Sequence, residues 1–347
     1  MNSEARIESC LVIGAGVAGL LAARRLQENG VRVTVLDKGR GVGGRMATRR
    51  FDEGVCDHGA QFLTVRDERF GALLNELRAA GVVREWSKGF PDDRGTLTPD
   101  GNPRYCGSGG MNAIARHLAA GLTVHCGETV TALNVEDGRW KVTTASGLSR
   151  TAEALVLTPP VPQSLALLDA GNFVLPALIR GELETITYDP CLAVVALLDG
   201  PSRIPEPGGV KITQPPIAWI ADNRRKGISP AASTITIHTT PDFAREHWDA
   251  PHEEIARMIF NKAERWLGAN VRNWQVHRWR YSQPVVTHAE SCRLPCLLPC
   301  LLPCLLVDSA PPVVFAGDGF GGPRVEGAAV SGWAAAETLL ADGRANQ

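Results

Sequence analysis

The first apolar run of the chain is followed at once by glycines and then by a helical pattern. Residues 11–13, Leu-Val-Ile, predict a short buried strand, and the apolar spacing over 17–29 predicts a helix that ends at Gly30. A second apolar run over 31–36 predicts another strand, which ends in Asp37. A glycine turn typically binds a dinucleotide when it follows one strand and precedes a helix and a second strand, as it does here.

The rest of the chain alternates between apolar runs of strand length and helical patterns. The apolar pattern of residues 65–86 predicts a helix, with Gly81 as its terminating residue, and another helix is predicted to begin at Gly109. Asp137-Gly138, between two alternating segments, predicts a hairpin turn. The remaining predicted strands are residues 129–133, 140–143, 154–160, 191–198, 217–221, 234–238 and 312–318, and the remaining predicted helices are residues 251–267 and 325–340.

These elements predict an α/β fold with two domains. A chain of 347 residues can bury a substantial core and is long enough for both. We expect a Rossmann-type cofactor-binding domain and a discontinuous α+β substrate domain. The first is assigned residues 1–64, 107–162 and 305–347, and the second residues 65–106 and 163–304, including a repeat of Cys, Pro and Leu at 292–307.

The glycines of the first turn suit close contact with a pyrophosphate. Gly14 permits the tight turn, Gly16 lets the backbone approach the phosphates, and Gly19 lets the helix pack on the strand. The amides of Val17 and Ala18 begin the helix, whose positive end favours the bound anion. The alternative is an ordinary turn, but the flanking strands and helix favour the binding site.

A second glycine segment indicates which dinucleotide is bound. Asp37 lies about twenty residues past the first glycines, where a carboxylate can accept hydrogen bonds from ribose hydroxyls. Lys38 follows it, and then Gly43-Gly44-Arg45. A nicotinamide dehydrogenase needs only the first motif, whereas flavoproteins add a Gly-Gly-Arg segment whose amides and guanidinium can approach the phosphates and ribityl chain. The segment favours FAD, and the alternative is a glycine-rich surface loop.

Together with later motifs, this segment resembles the renalase family, FAD-dependent oxidases related to the amine oxidases. The resemblance extends over most of the chain. It is carried by Asp37 to Met46, Gly-Ala-Gln-Phe from Gly59, Gly-Gly-Met from Gly109, Trp219 to Arg224, His277 to Tyr281, Gly317-Asp318 and Arg324 to Gly327. It implies an amine oxidase or p-hydroxybenzoate hydroxylase-like architecture with an FAD-binding domain. Because residues 319–323 contain no cysteine, we expect the FAD to be held without a covalent bond.

The resemblance also assigns residues to the site. Ala60 and Gln61 are expected along the reactive ring of the flavin and Val130 near its adenine end. Asp318 ends a predicted strand and is expected to bind the ribityl or phosphate oxygens, and the amides of Val325 and Glu326 begin a helix whose positive end can stabilise the reduced ring. The expected substrate-orienting residues are Gln61, Asn223 and His277, and the expected substrate contacts are Trp219, Trp279 and Tyr281.

For the aromatic residues an alternative stays open, because Trp279 and Tyr281 also alternate as they would on an ordinary half-buried strand.

The activity implied by the resemblance is oxidation of dihydro isomers of NAD(P)H that carry hydride at ring position two or six. The products are NAD(P)+ and, with O2, hydrogen peroxide. One alternative is a flavin amine oxidase, although Gly319 to Pro323 lacks the tyrosine that would complete an aromatic cage. Another is a flavin-binding protein without turnover.

The charge of the chain excludes several partners. With 36 basic and 37 acidic side chains, there is no electrostatic basis for binding nucleic acid or an anionic membrane. Residues 1–10 are polar and no apolar run is long enough to span a bilayer, so we expect no signal peptide, no membrane segment and a cytoplasmic protein.

The cysteines have an unusual spacing. Four of the nine, Cys292, Cys296, Cys300 and Cys304, recur every fourth residue between prolines. Metal ligands usually have shorter gaps, and the prolines prevent one helical face, so we expect an expanded loop repeat and no metal site.

Overall fold

The computed structural model describes residues 7–97, 101–288, 302–307 and 309–345. The chain forms two compact units. The first contains Met1–Gly44, Ala115–Thr187 and Pro284–Gln347, and the second contains Arg45–Ile114 and Tyr188–Gln283. Each unit is assembled from segments that are distant in sequence.

The first unit contains a six-stranded sheet. In spatial order the strands are β17 (Leu305–Val307), β18 (Val313–Phe315), β11 (Ala154–Leu157), β1 (Ser9–Ile13), β2 (Arg32–Asp37) and β7 (Thr123–Cys126). The edge strand β17 is antiparallel, and the other five strands run parallel. The central strands β11 and β1 are apolar runs, as expected for strands covered on both faces.

Two helices of this unit pack closely against each other. They are α1 (Val17–Glu28) and α9 (Val325–Ala345). A Cβ atom on Gly332 would overlap the carbonyl group of Ala18, so the two backbones approach more closely than any side chain allows. The other helices of the unit are α4 (Val161–Ala170), α5 (Ala177–Glu184) and the short α8 (Asp318–Gly321).

A three-stranded sheet completes the first unit and confirms the predicted hairpin. It consists of β8 (Val130–Glu136), β9 (Arg139–Thr144) and β10 (Ser149–Ala152), in that order. Asp137 and Gly138 have φ angles of 51° and 70°, the left-handed conformation that a tight hairpin turn requires.

A five-stranded sheet forms the core of the second unit. The strands in spatial order are β13 (Gly209–Lys211), β14 (Ile217–Asp222), β15 (Thr234–Thr239), β12 (Thr187–Leu198) and β16 (Val271–Val286). Helix α7 (His252–Leu267) contributes Ile255 and Ile259 to a core that includes Ile220 and Ile237 of the sheet. The short helix α6 (Pro241–Glu246) precedes α7.

Two small hairpins flank this sheet in sequence. They are β3 (Thr48–Phe51) with β4 (Gly54–Asp57), and β5 (Val83–Ser87) with β6 (Arg104–Gly107). A single 3₁₀ turn, Gly44–Met46, precedes the first hairpin, and α3 (Asn112–Ala119) leads the chain back to the first unit.

The helix predicted within 65–86 is shorter than its apolar pattern suggests. Helix α2 (Glu68–Ala79) begins after Asp67, whose side chain accepts a hydrogen bond from the Phe70 amide at 2.8 Å. Gly81, with φ of 68°, ends it as predicted. The residues from Val83 onward pair with β6 and are strand, so the extension of the helical pattern to Trp86 is wrong.

The compact units differ from the expected domains at residues 45–64, 107–114 and 163–187, and also at the described residues 284–288 and 302–304, which belong to the first unit. Residues 45–64 and 107–114 belong to the second unit because their side chains bond there, as in the 2.7 Å pair of Asp57 and Lys226. Residues 163–187 belong to the first unit because α4 packs on β8, where a Cβ atom on Gly171 would overlap Leu133.

Among the described residues, no helix combines the length and the apolar character needed to cross a bilayer.

The contact between α1 and α9 provides a test of the first unit. Replacing Gly332→Ala forces a methyl group against the Ala18 carbonyl, and we expect the free energy of unfolding to fall by about 1–3 kcal/mol. Gly181→Ala, at an exposed α5 position with no atom near the new Cβ, is the matched control and should be neutral or stabilising. Urea denaturation followed by circular dichroism measures the free energy of unfolding of both variants. Equal values for Gly332→Ala and Gly181→Ala would contradict this packing.

Candidate active site

The first glycine turn lies at the end of β1 in the conformation that the sequence predicts. Gly14 has φ of 102°, and a Cβ atom there would overlap Thr158 Oγ1. Gly19 is packed just as tightly, because its Cβ would overlap the Gly14 carbonyl oxygen. Glycine is therefore required at both positions.

Gly16 has the opposite environment. It caps α1 without a side-chain hydrogen bond, and no atom lies within 4 Å of where its Cβ would be. A side chain would fill this space, so glycine leaves the first amides of α1, at Val17 and Ala18, accessible to a ligand. An open cradle at a helix N-terminus fits a diphosphate.

Asp37 joins the two glycine segments. Its Oδ2 accepts a hydrogen bond from the Ala15 amide and its Oδ1 one from the Gly39 amide, each at 2.6 Å. Each carboxylate oxygen has a further lone pair, so Asp37 can still accept hydrogen bonds from ribose hydroxyls. Its position at the end of β2, beside the cradle, fits the predicted role.

The second glycine segment lies against the first. The Gly43 amide donates to the Ala15 carbonyl at 2.9 Å, and a Cβ on Gly44 would lie 3.4 Å from the Cα of Gly16. Lys38 is exposed at the start of the segment. The segment is thus packed on the cradle, which favours cofactor binding over a detached surface loop.

The carboxyl-terminal part of the chain reaches the same place. The Ala316 amide bonds to the Leu157 carbonyl at 2.9 Å, and a Cβ on Gly317 would lie 3.7 Å from the Thr158 carbonyl oxygen. Asp318 follows as the first residue of α8 and is buried. Both ends of the chain therefore meet at Thr158.

Three further predicted cofactor residues lie in the same unit. Val325 is the first residue of α9, and Glu326 beside it is buried. Val130 is the half-buried first residue of β8. Val325 begins a helix, as the sequence predicts. The contacts of these three residues with the cofactor remain predictions.

Arg45, Ala60 and Gln61 lie in the second unit. The Arg45 guanidinium donates through Nη1 to the carbonyl oxygens of Tyr281 and Ser282, both at 3.4 Å. It also lies 6.0 Å from the ring centre of Tyr188, which meets Tyr281 edge-on at 5.7 Å. The Ala60 amide bonds to the Arg45 carbonyl at 2.8 Å, so these residues form one backbone cluster.

The side chains of His58, His277 and Trp279 form a ring cluster in this unit. His58 stacks on Trp279 with ring centres 5.4 Å apart, and His277 meets Trp279 edge-on at 4.2 Å. The His58 carbonyl accepts hydrogen bonds from Trp279 Nε1 at 2.8 Å and from His238 Nε2 at 3.2 Å. The cluster brings together His277 and Trp279, which the sequence singled out, with two histidines that it did not.

These histidines are neutral near pH 7. Burial is the main cause, and it lowers the pKa of His58 to about 3 and that of His277 to about 4. The charge of Arg49 lowers both pKa values further. Burial also lowers the pKa of His238 to about 4. The rings can therefore donate and accept hydrogen bonds without carrying charge.

Gln61 is held in one orientation. Its Nε2 donates to the Asp57 carbonyl at 2.7 Å and to the Gly59 carbonyl at 3.0 Å. Its Oε1 is buried and has no hydrogen-bond partner among the described residues. Because both carbonyls can only accept, the amide orientation is determined and the free group is an acceptor.

The structure gives Asn223 a different role from the predicted one. It is completely buried; its Oδ1 accepts from the Asp57 amide at 3.4 Å, and its Nδ2 donates to Thr236 Oγ1 at 3.0 Å. An amide enclosed in this way has no exposed surface for a substrate. We therefore reassign Asn223 from substrate orientation to support of Asp57.

Trp219 lies in an apolar ring cluster. Its ring meets Phe90 edge-on at 4.9 Å, with Trp86 and Phe62 at 6.2 and 6.0 Å. It is 9% exposed, and its Nε1 has no hydrogen-bond partner among the described residues. Contact with a substrate remains a prediction for Trp219, Trp279 and Tyr281.

Sequence reasoning did not predict the ion pair between Lys226 and Asp57. Lys226 Nζ lies 2.7 Å from Asp57 Oδ2, and neither side chain is exposed to solvent. Lys226 stands in the run Asn-Arg-Arg-Lys-Gly, which resembles a solvated turn. The local sequence signal nearest to Asp57 was the Gly-Ala-Gln-Phe motif that begins at Gly59.

Three of the four repeat cysteines lie outside the described residues. The fourth, Cys304, is buried with its Sγ 3.5 Å from Thr338 Oγ1. Within the described part of the chain, no three His, Cys, Asp or Glu side chains are placed to hold a metal ion.

Comparison with known proteins identifies the family. Residues 12–77 match the model of an NAD(P)-binding Rossmann-like domain, and residues 85–340 match that of the flavin containing amine oxidoreductases. The chain belongs to the flavin containing amine oxidoreductase family. It is therefore a flavoprotein oxidoreductase with FAD as its cofactor, and the open cradle beside Asp37 fits that cofactor.

Individual relatives agree with this family. The chain is 25% identical to renalase from Mus musculus over 79% of its own length and 84% of that protein. It is 38% identical to putrescine oxidase from Kocuria rosea over 22% of its own length, but it covers only 16% of that relative. Cyclohexylamine oxidase from Brevibacterium oxydans IH-35A has the same fold, with a TM-score of 0.71 at 14% identity, over 97% of this chain and 99% of that one.

The position of Asp37 predicts its contribution to cofactor affinity. Replacing Asp37→Ala removes two charge-assisted hydrogen bonds to the glycine segments and the acceptor for ribose, so we expect FAD affinity to fall by about 10- to 100-fold. Titration of the apoprotein with FAD, followed by flavin fluorescence, measures this affinity. Glu28→Ala at the far end of α1 is the control and should bind as the wild type does. Unchanged affinity in the Asp37 variant would contradict this site.

The neutral histidines predict how stability depends on pH. His58 binds a proton in the unfolded chain below its ordinary pKa of about 6.5 but not in the folded protein until about pH 3. The free energy of unfolding should therefore fall as pH drops from 6.5 to 4, with up to about 1.4 kcal/mol per pH unit from this residue. His58→Gln should flatten the slope. Trp279→Phe changes the same cluster without removing a titrating group and should retain the slope in urea denaturation.

Proposed function

We propose that this flavoprotein oxidises the 2- and 6-dihydro isomers of NAD(P)H. In the proposed reaction, hydride passes from the dihydropyridine ring to N5 of non-covalently bound FAD, giving NAD(P)+, and the electrons then pass to O2 to give hydrogen peroxide. FAD supplies the hydride acceptor. The observation that carries the proposal is the neutral cluster of His58, His277 and Trp279 with Arg49 beside it.

The charges of the second unit favour a dinucleotide over an amine. Arg49 lies near the rings, with its Nη1 bonded to Gln275 Oε1 at 2.5 Å, and its positive charge attracts diphosphate and repels ammonium. The buried carboxylate of Asp57 cannot attract an amine, because Lys226 neutralises it at 2.7 Å. A substrate with a neutral ring and an anionic linker fits this charge distribution.

The proposed reaction requires no strong base. A dihydropyridine becomes aromatic when it loses hydride, and no proton has to leave the ring carbon with it. Positioning can therefore supply much of the rate. In this proposal Gln61 and His277 orient the ring through hydrogen bonds, and the flat side chain of Trp279 contacts its face, while Trp219 and Tyr281 border the substrate.

One observation favours a second candidate, oxidation of a small amine. Tyr188 and Tyr281 form an edge-on ring pair 5.7 Å apart, although residues 319–323 contain no tyrosine. Such rings can bind an amine by cation–π attraction. The Arg45 guanidinium 6.0 Å from the Tyr188 ring weighs against this, because a cation already faces the pair.

Anaerobic mixing distinguishes these functions. We expect the yellow flavin absorbance to bleach with the 2- or 6-dihydro isomer, with one NAD(P)+ formed per flavin, and to persist with putrescine or cyclohexylamine. Air should then restore the colour and produce hydrogen peroxide. Bleaching by the amines alone would replace our proposal with the amine oxidase. A yellow protein that no donor bleaches would be a flavin-binding protein without turnover.

A further inference from the structure

Asp57 is a junction in the second unit. Its Oδ1 accepts hydrogen bonds from Thr48 Oγ1 at 2.5 Å and from the Met111 amide at 2.8 Å, and its Oδ2 accepts one from Lys226 Nζ at 2.7 Å. The carboxylate therefore connects the start of β3, the residue before α3 and the turn after β14. None of this carboxylate is exposed to solvent.

The backbone of Asp57 is held equally firmly. Its carbonyl accepts hydrogen bonds from Gln61 Nε2 at 2.7 Å and Thr236 Oγ1 at 2.9 Å, and its amide donates to Asn223 Oδ1 at 3.4 Å. A movement of Asp57 would therefore move the carbonyl that orients Gln61.

Lys226 is the partner on which this arrangement depends. Its side chain is fully buried, and its Nζ lies 4.8 Å from the ring centre of Trp86. Trp86 in turn meets Phe62, the residue after Gln61, edge-on at 6.4 Å. Because a buried carboxylate without a counter-ion is strongly disfavoured, removing Lys226 would force Asp57 to move, take up a proton or become solvated.

We propose that Lys226 is a positioning residue for the reaction: through Asp57 it fixes the Gln61 amide so that Oε1 is presented as a hydrogen-bond acceptor to an N–H donor of the substrate. The carboxamide of a dihydronicotinamide is a donor of this chemistry. The substrate part of this inference rests on the proposed function, whereas the orientation of Gln61 does not. Gln61 is only 7% exposed, so an unpaired Oε1 is costly unless a ligand uses it.

A double-mutant cycle tests whether Lys226 acts through Gln61. Lys226→Met should lower kcat/KM for the dihydro isomer by about 10- to 100-fold, because the acceptor is misplaced. In a Gln61→Ala background the same substitution should have an effect of about twofold or less. Equal effects in both backgrounds would overturn the proposal, because a merely structural role predicts additivity.

Two further variants separate positioning from folding. Asp57→Asn combined with Lys226→Met removes both charges and leaves an amide oxygen at position 57 to accept from Thr48 and Met111, so this paired variant should recover both the melting temperature and most of kcat/KM. Lys262→Met makes the same charge change on the exposed face of α7 and should behave as the wild type. If Lys226→Met does not fold, the paired variant still decides, because failure to recover kcat/KM in a stable paired variant would contradict positioning through Asp57.

The orientation of Gln61 can be measured without turnover. In deuterated, ¹⁵N-labelled holoprotein, the Gln61 side-chain amide, assigned by its loss in Gln61→Ala, should have protons protected from exchange with solvent. Protection should fall in Lys226→Met and return in the paired variant. If the wild type oxidises no dihydro isomer but this pattern holds, the proposed function fails and the positioning stands. If Gln61 is unaffected by Lys226→Met, the positioning proposal fails whatever the substrate.

Discussion

The first unit depends on a close approach of backbones around Thr158. A methyl group at Gly14 or Gly19 would overlap existing atoms, and the turn at Gly317 reaches the same threonine from the other end of the chain. Because these backbones lie so close together, the ends of β1 and β18 and the start of α1 are placed around one proposed ligand site. We propose that these peptide groups bind the FAD phosphates, so that the chain needs no large positive charge to bind a diphosphate.

The second unit provides polar groups that carry no net charge. His58 and His277 are kept neutral by burial, and the carboxylate of Asp57 is neutralised by Lys226. In the reaction that we propose, such groups orient the substrate ring through hydrogen bonds without competing proton transfer. In the same proposal, the positive charge of Arg49 beside the cluster attracts the phosphates of the substrate.

The sequence was informative where structure follows from local chemistry. The glycine spacing, Asp37 and the Asp137-Gly138 turn each determine a backbone shape within a few residues, and the structure has those shapes. The roles of Asn223 and Lys226 could not be obtained in this way. Both act through Asp57, from which they are separated by 166 and 169 positions, and a buried lysine has the same local pattern as a solvated one.

The arrangement of the parallel sheet has a consequence for biosynthesis. Strand β18, at residues 313–315, covers one edge of β11, and α9 covers α1, yet both β18 and α9 come much later in the sequence than the elements they cover. While the ribosome is still adding these residues, the edge of β11 has unpaired peptide groups and α1 lacks its apolar cover, features that promote association with other chains. During synthesis, the edge of β11 and the apolar face of α1 therefore stay exposed until residues 313–345 have been added, and chaperones can bind them in that time. A chain truncated before β18 would expose both surfaces after synthesis as well.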